Sequence, residues 1–169
     1  ADAYHEDRAI ELTTRGIELA QEQPDKYALF CLHAELLQQL ARPAESVEAY
    51  REALSSAETD RETCNGLIGV AAGIRLTGGD VDGMAALDEA EALTQNAEDD
   101  DFERELAQIN LQKGNFRFAT GEIDLCMAHH QKSLAHAERA GDAELQARAL
   151  GGLGDAHYAH CRMRESLDY

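Results

Sequence analysis

Tryptophan is absent from the 169 residues, aromatic side chains make up 5% of them, and proline occurs only at Pro24 and Pro43. β-Structure favours aromatic and β-branched residues. A chain poor in aromatics and rich in Ala, Leu, Glu and Gln therefore points to helices held by small, close contacts. The two prolines read as punctuation between helices. Cations are scarce too: 15 Lys and Arg face 33 Asp and Glu, a formal charge of −18. Nucleic acid is excluded as a partner, because gripping a phosphate backbone needs clustered Lys and Arg. An anionic membrane surface is excluded on the same ground. No apolar run approaches the ~20 residues of a membrane span, and the longest candidate, Gly66 to Ile74, is short and interrupted by glycine. Cys31, Cys64, Cys126 and Cys161 lie far apart with no CxxC pair, which disfavours structural zinc. The expectation is buried free thiols in a reducing cytoplasm.

What the chain does have is internal self-similarity. Ser46, Tyr50 and Ala53 are spaced by four and then three residues. The same steps recur at Gly83, Leu87 and Ala90, and again at Cys126, His130 and Ser133. Such steps put three side chains on one helical stripe, small at its ends and larger in the middle. The helices before them carry a second pattern. Phe30, His33, Ala34 and Leu37 match Leu67, Val70, Ala71 and Ile74, and later Leu150, Leu153, Gly154 and His157. Asn110, Lys113, Gly114 and Arg117 occupy the same offsets but are polar. The Leu153-Gly154 step reads as the clearest close contact.

Helices are predicted over about 4–22, 26–40, 43–57, 60–77, 81–95, 101–119, 122–140, 142–160 and from 163 onward. Pro43 suits a first turn, Asp80 and Asp142 suit caps, and Gly121 and Gly141 suit helix ends. Repeats starting near Tyr27, Cys64, Ala107 and Ala147 are spaced by about 37, 43 and 40 residues, each longer than the 34 of the tetratricopeptide unit. The chain is thus read as one array over 1–169: a partial repeat 1–26, repeats 27–63, 64–106 and 107–146, and a partial repeat 147–169. Both ends are expected to be cuts through a longer array. The stripe of Leu150, Leu153 and His157 would then lose cover at the C-terminal end, along with Met163 and Leu167. Self-association there, as a homodimer, is the expected outcome.

The segment Leu153-Gly154-Asp155-Ala156-His157-Tyr158-Ala159-His160-Cys161-Arg162-Met163 resembles a tetratricopeptide helix and turn. The Gly79-Asp80-Val81-Asp82-Gly83 and Gly121-Glu122-Ile123-Asp124 turns do likewise. The resemblance implies an all-α, right-handed solenoid of stacked antiparallel helix pairs with incomplete repeats at its ends. The long period and the Ala140-Gly141-Asp142-Ala143 junction resemble tetratricopeptide regions of bacterial adenylate or guanylate cyclases and ATPase-type regulators.

Candidate chemistry is thin. His157 and His160 are three apart on a helix, and His129 and His136 seven apart. A helical pair can hold zinc only with further ligands, and no His-Glu-x-x-His accompanies it. A metal-dependent enzyme is a remote alternative, and a packing role for His157 is preferred. Asp80, Asp82, Gly83 and Glu89 fall near the offsets of a calcium loop, but its first ligand would be Gly78, which has no side chain. The Glu98 to Asp101 run, continued by Glu103 and Glu105, reads as a solvated helix start. Neither Walker A nor GxSxG is present. No catalytic residue, metal or cofactor is assigned, and the chain is read as a scaffold. The resemblance implies a concave face lined by the first helices that binds a peptide or partner domain. The residues placed there are Glu35, Gln38, Gln39, Asn65, Arg75, Gln108, Gln112, Asn115, Phe118, Arg148, Asp155 and Tyr158. The acidity favours a basic partner. A structural spacer or dimerisation segment of a cyclase or regulator is the runner-up.

Overall fold

The computed structural model describes residues 2–96 and 102–160, with side chains over 8–95 and 102–160. Eight helices occur among them and no strand: α1 Asp2–Leu19, α2 Gln23–Gln39, α3 Pro43–Ser55, α4 Asp60–Thr77, α5 Asp80–Asn96, α6 Glu103–Ala119, α7 Ile123–Ala140 and α8 Ala143–Ala159. The expected helix from 163 onward, the acidic run at 98–101, and Cys161, Met163 and Leu167 lie outside the described residues. The chain divides between Leu93 and Thr94 into two compact units.

Helix boundaries follow the chemistry of the turns. Pro24 opens α2 within its first turn, where its missing N–H costs nothing. That helix therefore starts three residues earlier than the sequence predicts, and α1 ends three earlier. Pro43 opens α3 in the same way. Thr59 and Glu62 form a reciprocal capping box on α4: Thr59 Oγ1 accepts from the Glu62 amide at 3.1 Å, and Glu62 Oε2 accepts from the Thr59 amide at 3.1 Å. Asp142 caps α8 by accepting from the Leu145 amide at 3.0 Å. Asp80, expected to be a cap, is instead the first residue of α5, where its charge complements the helix dipole.

Four turns close by a shared device. One of the first two residues after the helix takes a left-handed conformation, and the next amide reaches back five residues, as in Glu122 to the Arg117 carbonyl (2.9 Å) and Asp142 to Ala137 (3.0 Å). Gly78, Gly121 and Gly141 hold this position without strain, whereas Ala41 holds it at φ 55°.

In the first unit α1 and α3 both pack on α2, and α3 packs on α4. The α3–α4 seam is a row of notches. A Cβ on Gly66 would fall 2.6 Å from Leu54, one on Gly69 2.3 Å from the Tyr50 ring, and one on Gly73 2.6 Å from Val47. As the α4 number rises the α3 number falls, so the two helices run antiparallel. Ser46, Tyr50 and Ala53 are all buried, as are Leu87 and Ala90 of α5. The stripe read from the sequence is thus the packing stripe.

In the second unit α7 packs on both α6 and α8. Cys126, His130 and Ser133 are fully buried. The His130 ring lies between two helices: a Cβ on Gly114 of α6 would fall 2.7 Å from it, and one on Gly152 of α8 2.4 Å. A close approach on α8 is therefore made at Gly152. Gly154 is half-buried and Leu153 fully so.

Candidate functional site

The first helices of the pairs, α2, α4, α6 and α8, carry the residues expected to meet a partner. On α8 the period of 3.6 brings Arg148, Asp155 and Tyr158 onto one stripe with Glu144 and Gly151. All five are exposed, Tyr158 at 65%. Arg148 approaches Glu144 at 4.0 Å, a loose surface pair that contributes little. On α6 Gln108 and Asn115 are half-buried and Phe118 is exposed. On α2 Glu35 and Gln39 are exposed beside Leu32, while on α4 Asn65 and Arg75 are half-buried.

Two of the expected residues stand apart. Gln38 turns into the α2–α4 seam, where Nε2 donates to the Gly69 carbonyl at 3.4 Å. Gln112 is 8% exposed, and its Oε1 is buried without a hydrogen bond. Gln38 sits one helical step from the exposed Gln39, and a step of ~100° separates a surface position from a seam; Gln112 lies between the buried Leu111 and Lys113.

The polar register of α6 has a structural meaning that its sequence did not disclose. Asn110 and Lys113 are buried, at 2% and 4%. Asn110 Oδ1 meets His129 Nδ1 at 3.1 Å, Ser133 Oγ donates to the Ala107 carbonyl at 2.8 Å, and His136 Nδ1 meets Glu103 Oε2 at 2.6 Å. Glu103 is also held by Arg139 Nε at 2.8 Å. Arg139 and His136 together keep the Glu103 carboxyl below the usual carboxylate range. Arg139 Nη2 lies 2.7 Å from His136 Nδ1 as well. A guanidinium only donates and a carboxylate only accepts, so His136 Nδ1 bonds one or the other according to its tautomer. The α6–α7 seam is therefore a ladder of polar contacts.

The remaining titratable groups have structural settings. His130 is 1% exposed, its Nδ1 has no hydrogen-bond partner, and burial chiefly pushes its pKa down to about 4. His33 is depressed by burial and by Arg42, and its Nδ1 meets Thr13 Oγ1 at 2.7 Å. Cys31 and Cys126 are free thiols, and the buried Cys64 thiol donates to the Ala90 carbonyl at 3.7 Å. Burial, with a contribution from Asp155, raises the Cys126 thiol to about 11. Such a thiol is inert at neutral pH.

His157 is buried, whereas His160 Nε2 meets Asp124 Oδ1 at 3.1 Å. Among the described residues no group of three His, Cys, Asp or Glu is placed to hold a metal ion. The calcium-loop offsets lead nowhere, because Gly83 is buried and Asp80 and Asp82 form the first turn of α5. No helix among the described residues is long and apolar enough to cross a membrane.

No family model and no curated protein sequence matches the chain. Solved structures do. BtubC (BKLC) from P. vanneervenii superposes with a TM-score of 0.70 at 18% identity, over 94% of this chain and 66% of that one. Two structures of MamA superpose with TM-scores of 0.63 and 0.62, each at 15% identity. They cover 97% and 99% of this chain, and 84% and 80% of theirs. The chain thus spans just under two thirds of BtubC. These neighbours are tetratricopeptide-like helical repeat proteins, and the fold of this chain is of that kind.

Proposed function

We propose that this chain is a non-enzymatic protein-interaction scaffold whose first helices present a binding face for a peptide or partner domain. The observation that carries the reading is the α8 stripe. Glu144, Arg148, Asp155 and Tyr158 project together from a helix whose opposite side is spent on packing, with Leu145, Ala149, Leu153 and Ala156 buried. A mixed-charge stripe ending in an exposed Tyr offers salt links for orientation and a rigid amphipathic ring for contact area. Asn115 and Phe118 of α6 and Glu35 and Gln39 of α2 extend the inventory with amides, an aromatic and further charge. The net charge of −18 favours a basic partner.

The setting we propose is a larger bacterial signalling protein, a cyclase or ATPase-type regulator. The long repeat period and the Ala140 to Ala143 junction support it. The shielded thiols suit a reducing cytoplasm. The test is selection of binders from a random peptide library against the intact chain. Affinity should fall at least tenfold on Tyr158→Ala or Asn115→Ala. Binders indifferent to both substitutions would overturn the reading.

A further inference from the structure

A second surface lies on the other side of α2. Gln23, Lys26, Phe30, His33 and Leu37 recur every three or four residues and so share one stripe of that helix. Glu35 and Gln39 fall roughly 160–200° around it, at ~100° per residue. The stripe floors two adjoining cavities between α1 and α3. One, of about 410 Å3, is based on Phe30, His33 and Leu37 and walled by Ile17 and Ala49. The other, of about 340 Å3, shares Ile17, Phe30 and Glu52 with it and continues toward Lys26 and Ser56. From Gln23 to Leu37 the groove runs about 21 Å, at 1.5 Å per residue.

The rim of the larger cavity is charged with one sign. Glu18, Glu45, Glu48 and Glu52 surround the larger cavity. Arg42 occupies Glu45 and Arg51 occupies Glu48, each at 2.6 Å. Among the described residues Glu18 and Glu52 have no ion-pair partner, and both are exposed. Lys26 lines the smaller cavity together with Glu52. His33 in the floor has its pKa lowered by burial and by Arg42, so it is neutral at pH 7 and adds no charge. An apolar floor with an acidic rim is the complement of a cationic amphipathic helix, whose apolar stripe fills the groove while its basic residues meet the carboxylates.

We infer that the α1–α2–α3 groove is a docking site for a short cationic amphipathic helix of a partner protein, with its basic residues meeting Glu18 and Glu52. This site is separate from the first-helix face proposed above and does not depend on it.

The test uses the intact chain and a fluorescein-labelled, amidated 14-residue Lys/Leu amphipathic helix as probe, followed by anisotropy. A scrambled peptide of the same composition is the control. The amphipathic probe should bind at least tenfold tighter than the scramble. Glu18→Lys with Glu52→Lys should weaken it at least tenfold. Asp82→Lys with Glu138→Lys changes the net charge equally on exposed positions outside the groove, and should change affinity by less than threefold. Amide shifts should move at 14–18, 30–37 and 45–56. Equal losses in both double variants, equal binding of the scramble, no binding at 100 µM probe, or shifts centred on α6 and α8 would each overturn the inference. None of these outcomes bears on Tyr158 and Asn115, which lie in the second unit.

Discussion

Two seams of the molecule, α3–α4 in the first unit and α6–α7 in the second, are held by different means. At the α3–α4 seam the joint is steric: three glycines open notches and Leu54, Tyr50 and Val47 fill them. At the α6–α7 seam the one notch, Gly114 filled by His130, is flanked by polar contacts: His136 meets Glu103, Ser133 meets a carbonyl, and His129 meets Asn110. The first kind gains from dispersion and apolar burial and is indifferent to pH. The second gains little net free energy per bond but costs heavily if any partner is lost. One repeat plan therefore supports two energetic regimes, and substitutions can separate them.

The largest effect should come from emptying a notch. Tyr50→Ala leaves the space over Gly69 vacant and should cost about 3–5 kcal/mol, as for other buried aromatics. Urea titration followed by helix content would show it. A loss under about 1 kcal/mol would mean that α3 and α4 close up over the gap.

Next is acid, which should strike the second unit first. His130 is neutral when folded, with a pKa near 4 against 6.5 ordinarily. Above pH 6.5 both folded and unfolded states are unprotonated, and the group contributes no pH dependence. As pH falls from 6.5 toward 4 the unfolded chain gains a proton that the folded one refuses, and stability drops by about 1.4 kcal/mol per pH unit, roughly 3 in all. The depressed carboxyl of Glu103 adds its own loss only below the ordinary carboxylate range. Hydrogen exchange corrected for intrinsic rates, at pH 7 and 5, should show α6–α8 weakening more than α2–α4. His130→Leu, which installs the residue found at the matching position Leu87, should remove most of that difference. Equal weakening of both units would sink the comparison.

A pair of glycine replacements sharpens it further. Gly69→Ala pushes a methyl group into the Tyr50 ring and should destabilise by about 1–3 kcal/mol. Gly151→Ala meets nothing within 4 Å on an exposed helical face, and should stabilise by up to about 1 kcal/mol through helix propensity. Matching signs in thermal melts would contradict the notch geometry. The smallest effect is at a turn. Ala41→Gly relieves a left-handed alanine and should raise stability by about 0.5–1 kcal/mol, visible as a small rise in Tm.

The sequence made the second-helix stripes legible because steps of four and three residues match the helical period, and Ser46-Tyr50-Ala53 and Cys126-His130-Ser133 are buried as that period demands. Helix existence was legible for the same reason, with the errors confined to ends such as the first turn at Pro24. The α6 register was not legible. Asn110 and Lys113 look like surface residues, and only their neighbours show that they are buried. Nor could the sequence choose between Gly151 and Gly152, since each residue turns the helix by ~100° and only the His130 ring from α7 marks Gly152. The same rotation turned Gln38 into the α2–α4 seam, where it reaches the Gly69 carbonyl. The acidic groove escaped because its walls come from three helices, and no single segment carries its pattern.

The polar ladder of α6 and α7 also bears on how such a chain avoids assembling wrongly. Proteins built from similar helix pairs risk docking a helix onto the wrong neighbour, because apolar stripes of one period fit one another tolerably. Against the glycine notches of α4, Ser133 and His136 would be buried without the carbonyl and carboxylate that satisfy them. That mispairing is penalised by desolvation even where the shapes agree. In the folded chain the ladder favours α7 against α6 over α7 against an apolar seam.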